Sequence, residues 1–342
     1  MGVDLKNIIT STSIKLSNLA DKTIAIDAYN TIYQFLAIIR GPIGESLTNN
    51  NGQITSHLSG LFYRNINFLS NNIKLVYIFD GKPSQLKMKE IERRRKIKED
   101  TKEKYQEALD DGRLEDAKKY SQGTVELSDE IIQQSKYLLE LFGIPHIQAK
   151  SDGEALASNL TTTGKVFACA SQDYDSLLFG AKRLIRNLTI SGRRKIPNRN
   201  KYVGIEPEII YQTKILETTK LNLDQLIDVG ILIGTDFNPG GFAGIGPKTA
   251  LKLIRENGKL EKINKIREKL KDIPYQEIRE IFLNESSKNY KDIKFNFNRP
   301  DHDKISEFLC DKMNFSHERV SSSLDKLKKI EEQRSQSLER WF

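Results

Sequence analysis

The chain has 342 residues, more than a single hydrophobic core usually serves, so one large domain or two closely packed ones is expected. Hydrophobic residues make up 38% and charged residues 29%, with a mean hydropathy of −0.52; apolar runs recur, which argues against disorder, but none reaches the ~18 residues of a membrane span. The formal charge of +8 favours a polyanionic partner while still fitting an ordinary basic surface, and two isolated cysteines with only four histidines argue against a disulfide framework or a His-based metal site and fit a reducing compartment.

From the N-terminus, MGVDLKNIITS shows no basic-then-apolar signal pattern. The first buried-strand pattern is Thr23–Ile26, and it runs into Asp27. A helical stretch follows, with Tyr33 in TIYQFL, where it reads locally as a core aromatic. Leu58–Leu69 carries apolar residues at spacings of three and four, a helix signal, and Leu75–Phe79 is a second strand, ending at Asp80. The next stretch, Gln85 to about Gly123, is different. Ten Lys/Arg and five Asp/Glu lie between Lys82 and Lys104, so a helix here cannot bury a full face and reads as solvated and held by charge pairs. Ile131–Phe142 is again helical, and Ile144–Ile147, Val166–Ala170 and Leu184–Arg186 read as strands. Strands alternating with helices predict an α/β fold, a mostly parallel central sheet flanked by helices on both faces.

The aspartates fall at informative places. Asp27 and Asp80 end strands; Asp152 and Glu154 follow IPHIQAK; Asp173 and Asp175 follow KVFACA; Asp236 follows the apolar run ILIG. Parallel sheets place their sites beyond the carboxyl ends of the strands, so these groups would converge on one edge. Each alone has a structural explanation as a helix cap, and Ser151 with Glu154 matches a capping box. Together, like charges brought close raise one another's pKa and repel, and a cation resolves this. Carboxylate oxygens suit magnesium or manganese, and two such ions can drive phosphodiester hydrolysis with no histidine base. After Leu221 the pattern is helical. The turn Gly244-Ile245-Gly246-Pro247-Lys248-Thr249 is either a Gly-rich helix–helix turn or a phosphate grip, where glycines admit a backbone and the next helix offers free N–H groups. From about Leu327 the chain is charged and polar, which reads as a helix end and a flexible tail; Leu338, Trp341 and Phe342 share one face of its last turn.

These residues resemble the flap endonuclease family, structure-specific 5′ nucleases of replication and repair, in particular its archaeal form. The resemblance rests on MGVDLKNII, KTIAIDAYNTIYQFL, GQITSHLSGLFYR, VYIFDGKPSQLK, SDGEALAS, ASQDYDSLLFG, GILIGTDFNPGGFAGIGPKTAL and NFSHERV, in order across nearly the whole chain. It implies a PIN-like 5′ nuclease fold with a nuclease region over 1–98, a helical arch over 85–127, a second nuclease region with a helix-hairpin-helix-type element over 128–256, a helical region over 257–328 and a clamp-binding tail over 329–342.

The resemblance further implies that Asp27, Asp80, Asp152, Glu154, Asp173, Asp175 and Asp236 bind two Mg2+ ions, with Mn2+ as a substitute. The family usually has Glu where Asp152 stands. Lys87 and Arg94 on the arch would engage the scissile phosphate, with Arg93, Arg95 and Lys96 as general phosphate contacts. Tyr33 would stack on a base at the cleavage site. Gly244, Gly246 and Lys248 would grip the duplex backbone and hold a K+ ion. Thr55 and Arg319 would contact a short 3′ flap, and Gly2 would lie near the metals. The implied activity is hydrolysis of 5′ flaps in branched DNA, with 5′–3′ exonuclease activity, in Okazaki fragment maturation and base excision repair. The tail would dock on the replication sliding clamp (PCNA) through Leu338, Trp341 and Phe342. A monomer in the archaeal cytoplasm at the nucleoid is expected, or in the nucleus of a eukaryote. The alternative is a catalytically weak junction-binding adaptor tethered to the clamp, which the intact carboxylates disfavour.

Overall fold

Alternate residues of the central strands serve two different cores, and this period-two pattern sets the architecture. The computed structural model describes residues 2–42, 44–190, 192–195, 202–287, 290 and 292–339. The strands are β1 (Thr12–Ser13), β2 (Thr23–Asp27), β3 (Lys74–Phe79), β4 (His146–Gln148), β5 (Ala168–Ala170), β6 (Arg183–Arg186), β7 (Gly192–Lys195), β8 (Tyr202–Ile205) and β9 (Glu208–Tyr211). Seven form one sheet in the order β1-β9-β6-β5-β2-β3-β4; β7 and β8 form a separate hairpin. The five strands from β6 to β4 are parallel, while at one side β9 pairs antiparallel with β6 and β1 antiparallel with β9. The expected mostly parallel sheet is therefore present. The two short antiparallel strands were not anticipated, because two to four residues are too few to show alternation.

The helices are α1 (Ala28–Ile38), α2 (Ser56–Ser70), α3 (Met88–Asp110), α4 (Leu114–Ser121), α5 (Asp129–Leu141), α6 (Gly153–Thr162), α7 (Asp175–Leu178), α8 (Gln212–Thr219), α9 (Leu223–Ile233), α10 (Pro247–Asn257), α11 (Arg267–Leu270), α12 (Tyr275–Ser287), α13 (His302–Ser306) and α14 (His317–Glu339). Ala25, Val76, Ile78 and Cys169 point to one face, packed with residues of α6, α9, α10 and α12. Ile24, Ile26, Leu75, Tyr77 and Phe79 point to the other, packed with α1, α2, α5 and α14. Among the described residues no helix is long and apolar enough to cross a membrane.

Three readings of local structure change. The strand read as Ile144–Ile147 starts only at His146, because the N–H of Ile144 closes the end of α5 by donating to Leu139 O at 2.9 Å. The strand read as Val166–Ala170 is confined to Ala168–Ala170. The stretch after Leu327, read as a helix end and tail, continues as α14 to Glu339. Leu327 is fully buried, and further on Arg334 donates to Leu69 O at 2.9 Å and Ser70 O at 2.7 Å. A cation on the last carbonyls of α2 favours that helix end and ties α14 to it.

A candidate active site at the carboxyl edge of the sheet

Because β2, β3, β4 and β5 run parallel, their carboxyl ends lie on one edge, and the acidic residues that follow them gather there. Asp27 ends β2 and caps α1, accepting from Asn30 N at 3.0 Å. Asp80, just after β3, accepts from Gly153 N at 2.6 Å, so it caps α6 from another segment. The expected capping box of Ser151 and Glu154 does not form. The cap position is Asp152, whose side chain makes no capping bond, and the Glu154 carboxylate turns to the Ser171 hydroxyl at 2.7 Å. Asp175 accepts from Val3 N at 2.7 Å and Asp173 from Gly2 N at 3.3 Å, which puts Gly2 beside the site as expected. A Cβ on Gly2 would stand 2.5 Å from the Asp175 carboxyl, so any larger residue here would have to displace that carboxyl.

Asp236 arrives differently. The run ILIG is the last turn of α9 and not a strand; Gly234, at φ +110°, turns the chain so that Asp236 faces the carboxylates of the sheet edge.

The electrostatics show that these groups share one cleft. Burial and then the neighbouring Asp80 push Asp27 up to about 8; burial and then Asp236 push Asp175 up to about 7. Glu154 keeps some surface in the cleft while protein surrounds it, and desolvation followed by Asp173, Asp27 and Asp175 holds it well above the ordinary carboxylate range. Asp80 is raised by burial, with Asp152 and Asp236 adding to it.

Two basic groups from the charged segment answer this. Lys87 pairs with Asp152 and lies 5.1 Å from the Phe237 ring centroid. Burial opposes its charge, yet Asp152, Asp236 and Glu154 hold its pKa above the ordinary lysine value. Arg94 reaches Asp236 at 2.5 Å and Glu90 at 2.6 Å. Glu90 was not singled out in the sequence, yet it is buried. It binds Arg93 through two contacts of 2.7 and 2.8 Å, and hydrogen bonds from Arg93 and then Arg94 hold it down to about 2. It fixes both arginines on α3. Lys87, Glu90, Arg94, Asp80, Asp152 and Asp236 line a cavity of about 160 Å³. Farther along α3 the helix is solvated, with Arg95–Glu99 at 3.0 Å and Lys102–Glu126 at 2.9 Å, and it packs on α4 through fully buried Ala108 and Ala117.

Among the described residues no group of three or more acidic, histidine or cysteine side chains is drawn close enough to hold a metal ion unaided. Asp152 and Asp236 are instead paired with Lys87 and Arg94. The donor set itself fits magnesium or manganese: it offers only hard carboxylate oxygens, and Mg2+ keeps several waters and needs few direct protein ligands.

Asn30 and Ser171 were also missed in the sequence. Asn30 Nδ2 donates to Asp173 Oδ2 at 3.2 Å; its Oδ1 accepts from Gln34, whose Oε1 accepts from Thr189 Oγ1 at 3.1 Å. The only prior sign was their placement within four residues of Asp27 or Asp173.

The remaining candidates lie around this cleft. Tyr33 is 43% exposed on α1, near enough to Arg94 for the two to interact electrostatically, so it is not a core aromatic. Arg93, Arg95 and Lys96 are exposed on α3. Gly244, at φ +80°, and Gly246 are exposed in the turn between α9 and α10, with open space where each glycine's Cβ would be, and Lys248 is exposed in the first turn of α10. Gly246 caps α10 without a side-chain bond and Pro247 takes its first position. Lys248 also lines a groove of about 460 Å³ with Lys252 and Arg255. Thr55 is buried at the start of α2, while Arg319 is exposed on α14. Trp341 and Phe342 lie outside the described residues, as does the side chain of Leu338.

Comparison with known proteins places the chain in a family. Residues 1–101 match the XPG N-terminal domain and residues 143–236 the XPG I-region. The chain is 55% identical to flap endonuclease 1 of Nitrosopumilus maritimus over 342 residues, covering all of both chains. It is 48% identical to that of Pyrococcus furiosus, covering all of this chain and 99% of the relative. Among solved structures, flap endonuclease-1 from Methanococcus jannaschii matches with a TM-score of 0.73 and 38% identity, over 96% of this chain and 98% of that one. The catalytic core of Rad2 in complex with DNA substrate shares the fold, with a TM-score of 0.72. On this full-length agreement, the chain belongs to the flap endonuclease 1 family.

Proposed function

We propose that the protein hydrolyses DNA phosphodiesters at junctions between single and double strands, removing 5′ flaps, with 5′–3′ exonuclease activity on nicks and gaps. The observation that carries this reading is the meeting of carboxylates from four strand ends with Lys87 and Arg94 in one cleft. In this reading Asp27, Asp80, Asp152, Glu154, Asp173, Asp175 and Asp236 hold two divalent ions, directly or through water. Bound there, the ions supply an activated water and stabilise the leaving oxygen. Lys87 and Arg94 leave their carboxylate partners for the scissile phosphate, where their charge counters that of the transition state. Water adds to phosphorus as the P–O3′ bond breaks, leaving a 5′ phosphate and a 3′ hydroxyl.

The other parts select the substrate. Tyr33 offers an aromatic face to a terminal base. Gly244, Gly246 and Lys248 hold the duplex backbone without reading sequence, with a K+ ion at the same turn. The pair α3 and α4 frames the passage of the flap. Leu338, Trp341 and Phe342 dock a monomeric enzyme on the sliding clamp, a proposal supported by their sequence pattern alone.

A labelled double-flap DNA tests the reading. Magnesium is expected to release the flap with a 3′ hydroxyl and leave a 5′ phosphate on the duplex strand, and chelation or Asp173→Ala to abolish this cleavage. Cutting that survives both changes would contradict the reading; binding without any cutting would favour the adaptor.

A further inference from the structure

Ser171 follows β5 directly, and its place is fixed by its own backbone, whose N–H donates to Ile185 O on β6 at 3.3 Å. Its side chain is buried. The hydroxyl oxygen stands 2.7 Å from Glu154 Oε1 and 3.2 Å from Asp27 Oδ2, and it accepts the N–H of Asp173 at 3.2 Å. One small group thus touches three acidic residues brought from β2, α6 and the turn after β5. A hydroxyl has one proton to donate and two lone pairs. It gives that proton to Glu154 at the shorter distance, shares it with Asp27, and holds the Asp173 backbone with a lone pair. Without it, Glu154 and Asp27 face each other with no donor between them, and each lies in a crowded site that already disfavours its charge.

We propose that Ser171 is a positioning residue that spaces Asp27, Glu154 and Asp173 for divalent-ion binding. This rests on the carboxylate reading of the site given above. Ser171 itself touches neither the reacting phosphate nor, in this role, the ion; it orients the groups that do. Hydrogen-bond partners behind metal ligands typically alter affinity by about 10- to 100-fold.

The test uses the full chain, Mn2+ as probe and calorimetric titration, with thermal unfolding in chelator as a folding control. Four proteins are compared: wild type, Asp173→Ala, Ser171→Ala and Ser171→Thr. Threonine keeps the hydroxyl; alanine removes it with little change of volume. Ser171→Ala is expected to weaken Mn2+ binding by about 10-fold or more, and Ser171→Thr to restore most of it. Flap cleavage by Ser171→Ala should need more magnesium yet approach the wild-type rate at saturation, a split that simple loss of folded protein would not give. Unchanged Mn2+ affinity in Ser171→Ala, alongside weakened binding in Asp173→Ala, would overturn the inference alone. Equal weakening by alanine and threonine would also overturn it, since packing would then be the cause. Absence of Mn2+ binding by the wild type would overturn the carboxylate reading together with the inference.

Discussion

Lys87 occupies the most contested position in the cleft. It sits between Asp152 and the Phe237 ring, and it holds its proton because acidic neighbours outweigh its burial. A charge already held in place at the wall of the cleft needs little reorganisation when a phosphate arrives. Lys87→Met should therefore slow single-turnover flap cleavage by about 10²- to 10³-fold with bound magnesium saturating, and a rate within error of wild type would exclude the role. The carboxylates give a second expectation, with its sign fixed by their raised pKa values. Asp27 and Asp175 titrate near 8 and 7 in the folded protein but near the ordinary value when unfolded. The folded state therefore holds extra protons between these limits; the contribution of these two groups to stability is fully present below the unfolded pKa, declines as pH rises, and is gone above about 8. A divalent ion replaces those protons. Magnesium should thus raise the melting temperature more at about pH 8.5 than at about pH 6, and the opposite order in a melting series would contradict this assignment.

At the scale of elements, α9 and α12 are joined by an ion pair that the sequence did not advertise. Asp228 is buried on α9, Arg279 on α12 reaches it at 2.6 Å, and Arg279 also meets Glu261 at 3.0 Å. Asp228 further accepts from Leu260 N at 3.3 Å, so three segments meet at one carboxylate. Asp228→Ala removes the buried partner while Glu261 still holds the guanidinium, and should cost about 1–3 kcal/mol, read as a lower denaturant midpoint in equilibrium unfolding. What could be read from the sequence follows from period and length. Strands β2 and β3 were legible because apolar runs of three and five residues, Ile24–Ile26 and Leu75–Phe79, ran straight into an aspartate, and that gave Asp27 and Asp80 their places. The run ILIG looked the same in sequence but is helical, since a short apolar run fits a buried strand and a buried helix turn equally. Strands β1 and β9 were too short to show a pattern, and Glu90 was hidden in a charged stretch where nothing marked one carboxylate as buried. Ser171 and Asn30 carry no signal of their own type; only their distance from the aspartates in space reveals them.

Across the whole molecule, one topological choice underlies the account. Parallel strands bring separate acidic residues to one edge, and a charged helix too polar for any core lies over that edge with two basic groups directed into it. The apolar faces on either side of the sheet hold this edge in place, so the carboxylates stay together despite their repulsion. The arrangement makes sense as a catalytic device if divalent ions join these groups. Anomalous diffraction from Mn2+-loaded crystals, with a double-flap DNA bound, tests this most directly. The account predicts two peaks about 3.5–4 Å apart within the cleft bounded by Asp80, Glu154, Asp173 and Asp236. Manganese found elsewhere in the protein, with this cleft empty in an active complex, would contradict it.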